Sequence, residues 1–377
     1  MGGVCVSKAF SVEDYRRKAR RTLPKIVFDF LEGGADAECG LRRNLDAFDD
    51  WRFLPARLRD VSAVSIRTRL WEKDQALPVY ISPTGLNAIL RPGADAILAR
   101  VAARHGIPFA LSTASNMSIE EVARAADGEK WFQLYVMNRD LADQMVIRAR
   151  DADYDALILT VDVPVNGNRE RDKRNGFGVP IPLNARTIAD VAIHMPWSLR
   201  LMRTGVPKLR NFETASAKSL SAQQALLSRQ MDASFDWNDL ARLREAWPRK
   251  LIVKGLSRID DAMRCQKLGV DAVILSNHGG RQLDGAEAPV RLVGPVSDVL
   301  DIPVFFDSGV RRGSDVVKGL CLGASMVGLG RALLYALAAE GEAGADACLG
   351  IVADEITQTM ALLGAPIIED LGPDFMA

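Results

Sequence analysis

Short apolar runs recur along the chain, each followed by a stretch whose apolar positions return at helical spacing. Four such runs fall at 78–83, 108–112, 131–136 and 156–162, with helix-like segments between them at 92–105, 118–126 and 139–150. After a long interruption the rhythm resumes at 250–255, 272–277, 303–309 and 325–330, with helical stretches starting near Arg258, Pro289 and Gly313. Runs that are apolar on both faces, alternating with amphipathic helices, predict parallel strands covered by crossover helices. Eight of them predict a (β/α)8 TIM barrel; a doubly wound open sheet is the competing arrangement. The polar residues favour the barrel. Ser112, Gln133, Tyr135, Thr160, Asp162, Lys254, His278 and Asp307 all lie at or near the C-terminal ends of predicted strands, where barrel active sites are built.

Two segments depart from the rhythm. Residues 11–50 read as helical: Ser11 and Asp14 have the spacing of a capping box, and Leu23, Ile26, Val27, Phe30 and Leu31 recur at helical intervals until Gly33-Gly34. This region, about 1–70, predicts a helical cap over one end of a single barrel domain spanning 1–377. The second departure is a long insertion after strand four, about 163–236. Its first part, 166–178, is dense in charge, whereas its second, about 181–219, is basic and apolar together. Between Ala185 and Arg210 five Lys or Arg stand against one Asp, interleaved with Trp197 and large aliphatics. Such a mixture suits shallow burial beside anionic lipid headgroups. An active-site lid or an oligomer contact is the competing reading, and Pro196 and Pro207 exclude one continuous helix. After Ala345 the pattern predicts a closing helix and an irregular end.

Composition narrows the function classes. Lys plus Arg and Asp plus Glu both number 48, so no global field argues for nucleic acid as a partner. Cys5, Cys39, Cys265, Cys321 and Cys348 are odd in number, scattered and free of any C-x-x-C pair, which disfavours a disulfide framework and a metal site. The first ten residues lack a continuous apolar core, and no run of 18 apolar residues occurs. The expectation is a cytoplasmic chain, peripheral on the inner face of the cell membrane if the insertion acts as a surface contact.

Chemistry concentrates where strand six ends, at Ser276-Asn277-His278-Gly279-Gly280-Arg281-Gln282. Two glycines permit positive φ and close approach to a ligand, His278 can exchange a proton near neutrality, and Arg281 offers a planar fork to a carboxylate. Of the three histidines only His278 sits at a strand end, which makes it the candidate base. Asp162 and Asp307 are both candidates for the carboxylate that would stabilise its imidazolium, and spacing leaves the choice open. Strands seven and eight end in Asp307-Ser308-Gly309-Val310-Arg311-Arg312-Gly313 and Gly328-Leu329-Gly330-Arg331. Glycine amides, helix N-termini and arginine forks there predict a phosphate-bearing cofactor. Lys254 is placed either to stabilise electron density on a cofactor ring or as a structural ion-pair partner.

The 276–282 stretch resembles the signature of the FMN-dependent α-hydroxy acid oxidases and dehydrogenases. The resemblance extends over nearly the whole chain, through Leu23-Pro24-Lys25, Glu32-Gly33-Gly34-Ala35, Pro83-Thr84-Gly85, Leu111-Ser112-Thr113-Ala114-Ser115, Gln133-Leu134-Tyr135, Val253-Lys254-Gly255 and Asp307-Ser308-Gly309. Within the family the chain is most similar to the members acting on (S)-mandelate, notably through 111–120, 166–172 and 228–234. The resemblance implies FMN as cofactor and oxidation of an (S)-2-hydroxy acid, aromatic and mandelate-like, to the 2-oxo acid. It makes His278 the general base with Asp162 as its partner, puts Arg281 and Arg169 on the substrate carboxylate, and sets Tyr135 at the substrate hydroxyl. Gly85, Ser112, Gln133, Thr160 and Lys254 would contact the flavin ring, with Asp307 nearby, while Gly309, Arg311, Gly330 and Arg331 would take the phosphate. It further implies a homo-oligomer, a tetramer by resemblance, and a membrane or quinone electron acceptor reached through the insertion, which binds membranes in that subgroup. Gly85, where oxidases more often carry alanine, implies slow reaction with oxygen. One position departs: family members usually carry tyrosine where this chain has Phe30, whose hydroxyl would bind the substrate carboxylate. Losing such a bond costs about 1.5–3 kcal/mol. That implies a weaker enzyme or one for a bulkier, more apolar acid. The competing functions are an oxygen-using 2-hydroxy acid oxidase and a flavin-binding protein with weakened catalysis.

Overall fold

Eight parallel strands close on themselves in the computed structural model, which describes residues 8–182, 184–212 and 231–377. They are β1 (Val79–Ile81), β2 (Phe109–Ser112), β3 (Lys130–Leu134), β4 (Ala156–Thr160), β5 (Lys250–Leu256), β6 (Ala272–Leu275), β7 (Val304–Phe306) and β8 (Met326–Leu329). Each pairs with its neighbour in sequence, and β8 pairs with β1 to close the ring. All eight coincide with the predicted runs, and the open-sheet alternative is excluded by the closure.

Side chains alternate in and out along a strand, so the interior is built in layers. Tyr80, Ala110, Trp131, Ile158, Ile252, Ile274, Phe305 and Met326 are buried together inside the ring, with Trp131 and Phe305 stacked at 5.9 Å. Two residues further along each strand stand Ser82, Ser112, Gln133, Thr160, Lys254, Ser276, Asp307 and Gly328. The apolar layer therefore forms the floor beneath a polar one. Below the floor a hairpin of Thr68–Leu70 and Lys73–Gln75 plugs the opposite end, with Leu70 and Trp71 packed against the same interior cluster. Strands of three residues carry too little alternation to be read from sequence.

The cap consists of helices Val12–Thr22, Lys25–Glu32 and Cys39–Asp46. Ser11 caps the first by accepting from the Asp14 N–H, as its spacing predicts, and Pro24 separates the first two. The closing helix, Arg331–Leu363, begins directly after β8 and breaks at Gly341, whereas the sequence pattern places it only after Ala345. Residues 332–338 of that helix are buried on all sides, so they lack the polar face that would have marked them as helical.

The insertion contains helices Glu170–Asn175, Ala185–Ile193 and Met195–Thr204, the last two broken at His194 beside Pro196. Ile193 and Met202 are 77% and 70% exposed, and Ile188, Met195, Leu199 and Val206 also face solvent. Trp197 corrects the sequence reading: it is buried, with its indole N–H donating to the Ile89 carbonyl at 2.7 Å, and so anchors the insertion to the barrel. The part of the 181–219 reading beyond residue 212, and residues 228–230 of the 228–234 motif, lie outside the described residues.

Cap and barrel meet through a reciprocal amide pair. Asn44 donates to Asn277 at 2.8 Å and Asn277 donates back at 2.6 Å, both side chains buried. Removing Asn44 loses both bonds, but Asn277 keeps its donation to the Glu287 carbonyl and its acceptance from the Gly280 N–H, both at 3.1 Å, so the loss is about 0.5–1.5 kcal/mol per bond. Asn44→Ala is therefore expected to lower unfolding free energy by about 1–3 kcal/mol in urea titrations, and a change under about 0.5 kcal/mol would remove this pair as the clamp.

Candidate active site

The polar layer opens into a cavity of about 450 Å³ at the C-terminal mouth of the barrel. Of the residues singled out from sequence, Phe30, Gly85, Ser112, Gln133, Tyr135, Thr160, Arg169, Lys254, His278, Arg281, Asp307, Gly309, Arg311, Gly330 and Arg331 all line it. Asp162 stands just behind His278.

His278 follows β6 in a left-handed conformation, φ +59°, and Gly279 and Gly280 continue it at +66° and +73°. A Cβ on Gly279 would sit 2.7 Å from the Arg331 guanidinium, and one on Gly280 would be 2.7 Å from the Leu41 backbone of the cap. The glycine pair thus serves both the turn and the close approach of neighbouring elements. The imidazole is held from both sides: Nδ1 lies 3.0 Å from Asp162 Oδ1 and Nε2 lies 3.2 Å from the Tyr135 hydroxyl. A carboxylate only accepts, so the network assigns the proton to Nδ1 and leaves the Nε2 lone pair facing Tyr135 and the cavity. Asp162 in turn fits because residue 255 is glycine, where a Cβ would be 2.6 Å from the Asp162 Cβ. Gln282, unassigned in the sequence reading, bonds the carbonyls of Asp162 and Val165 at 3.3 and 2.9 Å and ties the two loops together.

Asp307, the competing partner for His278, is engaged elsewhere. Lys254 Nζ donates to Asp307 Oδ2 and to Ser276 Oγ, both at 2.6 Å, and Ser276 and Ser308 donate to Asp307 Oδ1. Lys254 and Asp307 are both buried. Beside them Ser112 donates to Gln133 Oε1 at 3.0 Å, whereas Gln133 Nε2 and Thr160 Oγ1 are buried without a protein partner. Two such atoms in one cavity wall are donors held ready for a ligand.

Arg281 Nη1 donates to the carbonyls of Phe30 and Gly33, each at 2.8 Å, so the cap fixes this guanidinium at the cavity wall. Arg169 lies beside it, its Nε 3.5 Å from the Arg281 carbonyl. Phe30 stacks on Phe177 at 4.2 Å with the rings 5° from parallel. Sequence reasoning missed Phe177; its only signal was an aromatic between two glycines, Gly176-Phe177-Gly178, in an otherwise charged stretch. The arginines of the last two loops divide. Arg331 donates to the carbonyls of Leu31, Gly33 and Gly279 and so clamps the cap, while Arg312 pairs with Glu355 at 2.8 Å. Arg311 faces the cavity.

Burial pushes the Asp307 carboxyl up, but the charge of Lys254 and the hydrogen bonds from Lys254, Ser276 and Ser308 outweigh it and hold the group below the ordinary 3.8. A carboxylate with a depressed folded pKa contributes stability that is present above its unfolded pKa and lost as pH falls through the folded one. Asp307→Asn, which leaves Lys254 buried and unpaired, should lose about 3–5 kcal/mol near neutrality. In urea titrations that deficit should shrink as pH drops from about 5 to about 3; a deficit constant with pH would show that the ion pair is not its source.

The family model described as FMN-dependent dehydrogenase matches residues 19–377. The chain is 52% identical to the (S)-mandelate dehydrogenase of Pseudomonas putida over 97% of its own length and 93% of that protein's. It is 39% identical to an L-lactate dehydrogenase of Stenotrophomonas maltophilia, covering 96% of this chain and 97% of that one. The crystal structure of the monotopic membrane protein (S)-mandelate dehydrogenase superposes with a TM-score of 0.96 at 51% identity, covering 98% of this chain and all of that one. Among the described residues no helix of this chain is long and apolar enough to cross a membrane. Barrel, cavity and sequence together make this chain a member of the FMN-dependent dehydrogenase family.

Proposed function

We propose that the protein oxidises an aromatic (S)-2-hydroxy acid of the mandelate type to its 2-oxo acid at the surface of a membrane that holds the electron acceptor. The observation that carries this reading is His278 set between Asp162 and Tyr135 at the mouth of a cavity with unsatisfied polar walls. The partnerless Gln133 Nε2 and Thr160 Oγ1 fit the polar edge of a flavin ring, with Ser112, the Lys254 ammonium and Gly85 around it. Arg311 and the start of the long helix at Gly330 and Arg331, next to Gly309, would take the phosphate. FMN, when bound, supplies the two-electron acceptor for an alcohol becoming a ketone.

The chain's own residues do the rest. His278 Nε2 accepts the substrate hydroxyl proton, and Asp162, bonded to Nδ1, orients the ring and stabilises the imidazolium that results. Arg281 and Arg169 supply donors for the substrate carboxylate, which fixes the α-carbon relative to the base. Tyr135 stays within reach of the same hydroxyl. Phe30, stacked on Phe177 beside Arg281, gives the cavity a flat apolar wall, which supports an aromatic acid over a small aliphatic one.

The exposed apolar residues of Ala185–Ile193 and Met195–Thr204, with exposed Arg203 among them and exposed Lys208 just beyond, support contact with an anionic bilayer. Oxidation at that surface would place the reduced cofactor near a membrane acceptor such as a quinone.

Anaerobic addition of a 2-hydroxy acid panel should bleach the flavin absorbance fastest with (S)-mandelate. His278→Asn should keep FMN bound while slowing bleaching by about 10²–10⁴; near-normal bleaching would remove His278 as the base. Replacing Ile193, Met195 and Met202 together by serine should abolish co-sedimentation with anionic vesicles while leaving substrate-driven bleaching within about twofold. Wild-type protein that fails to sediment with such vesicles at low salt would sink the membrane reading.

A further inference from the structure

Arg311 differs from its neighbours in what holds it. Among the described residues it forms no ion pair, whereas Arg312 pairs with Glu355 and Arg331 is bound by three carbonyls. Its Nη1 donates to the adjacent Val310 carbonyl at 2.9 Å, and its guanidinium carbon lies 5.7 Å from the centre of the Tyr335 ring. A ring face attracts a cation through its quadrupole without neutralising it, so the charge of Arg311 remains available to an anion in the cavity.

Tyr335 is itself fixed at both ends. It is 1% exposed on the helix Arg331–Leu363, and its hydroxyl donates to Glu32 Oε2 at 2.7 Å, the last residue of cap helix Lys25–Glu32. Glu32 also accepts from Arg16 Nε at 2.8 Å. Burial pushes the Glu32 carboxyl up, but the bonds from Arg16 and Tyr335 hold it below the usual glutamate range, so it stays an acceptor. The hydroxyl lies on the axis about which the ring turns, so this bond fixes where the ring's far end sits, while close packing around the buried side chain sets its plane.

We propose that Tyr335 is a positioning residue for the phosphate end of the flavin site: its buried ring face holds the Arg311 guanidinium toward the FMN phosphate. The inference rests on Arg311 as a phosphate contact, and the test separates the two. Full-length protein stripped of flavin is titrated with FMN and with riboflavin, which lacks the phosphate, and binding is read from quenching of flavin fluorescence. Tyr335→Leu should weaken FMN about two- to thirtyfold while riboflavin changes by less than about twofold. Tyr335→Phe keeps the ring face and should retain the wild-type ratio of the two affinities despite losing the bond to Glu32. If Tyr335→Leu does not fold, Tyr335→Met carries the same expectation. Proportional weakening of both flavins would reduce Tyr335 to a packing residue and overturn the proposal. Arg311→Gln lowering the ratio while Tyr335→Leu leaves it unchanged would overturn it as well. An unchanged ratio in Arg311→Gln would instead remove the phosphate contact beneath it.

Discussion

Closure of eight parallel strands is the constraint from which the site follows. Once the ring is closed, alternate residues must point inward, and a large apolar layer centred on Trp131 and Phe305 fills the space. Whatever stands two residues later in each strand faces the same axis at the mouth. In this chain those positions hold Ser112, Gln133, Thr160, Lys254, Ser276 and Asp307. A buried polar layer is tolerable only when satisfied. Here Lys254, Ser276 and Asp307 satisfy one another, and the Gln133 amide nitrogen and the Thr160 hydroxyl are left for a ligand.

The second dependence is that of the mouth upon the cap. Arg281 and Arg331 both donate to the carbonyl of Gly33, at the end of the second cap helix, and Asn44 pairs with Asn277 one residue before His278. The residues that would bind substrate are thus oriented by backbone groups more than 200 positions away in sequence. His278 holds a left-handed conformation that a side-chain-bearing residue adopts at a cost, and these contacts over-determine it.

Phe30 shows how one substitution changes meaning in three dimensions. By the family resemblance alone, it reads as a tyrosine without its hydroxyl. In the fold it is one half of a parallel ring stack with Phe177, with the Arg281 guanidinium 5.1 Å from its ring. Its backbone carbonyl still anchors Arg281. The position thus anchors Arg281 through its backbone and presents an apolar ring to the cavity.

The sequence by itself determined the strands, the cap helices and the strand ends that carry chemistry, because alternation, capping and proline breaks act between residues a few positions apart. It could not choose between Asp162 and Asp307 for His278, since each is reached only by folding: Asp162 is 116 positions from His278, and Asp307 is occupied by Lys254, itself 53 positions off. Composition counted Trp197 among surface residues because hydropathy does not say which face of a short helix meets a neighbour; the structure turned it onto Ile89. Arginines next to glycines likewise looked alike in the chain, yet Arg331 was drawn to three carbonyls and Arg312 to a carboxylate. Which hydrogen-bond acceptors lie within reach of a long side chain is a property of packing, and only the tertiary structure decided it.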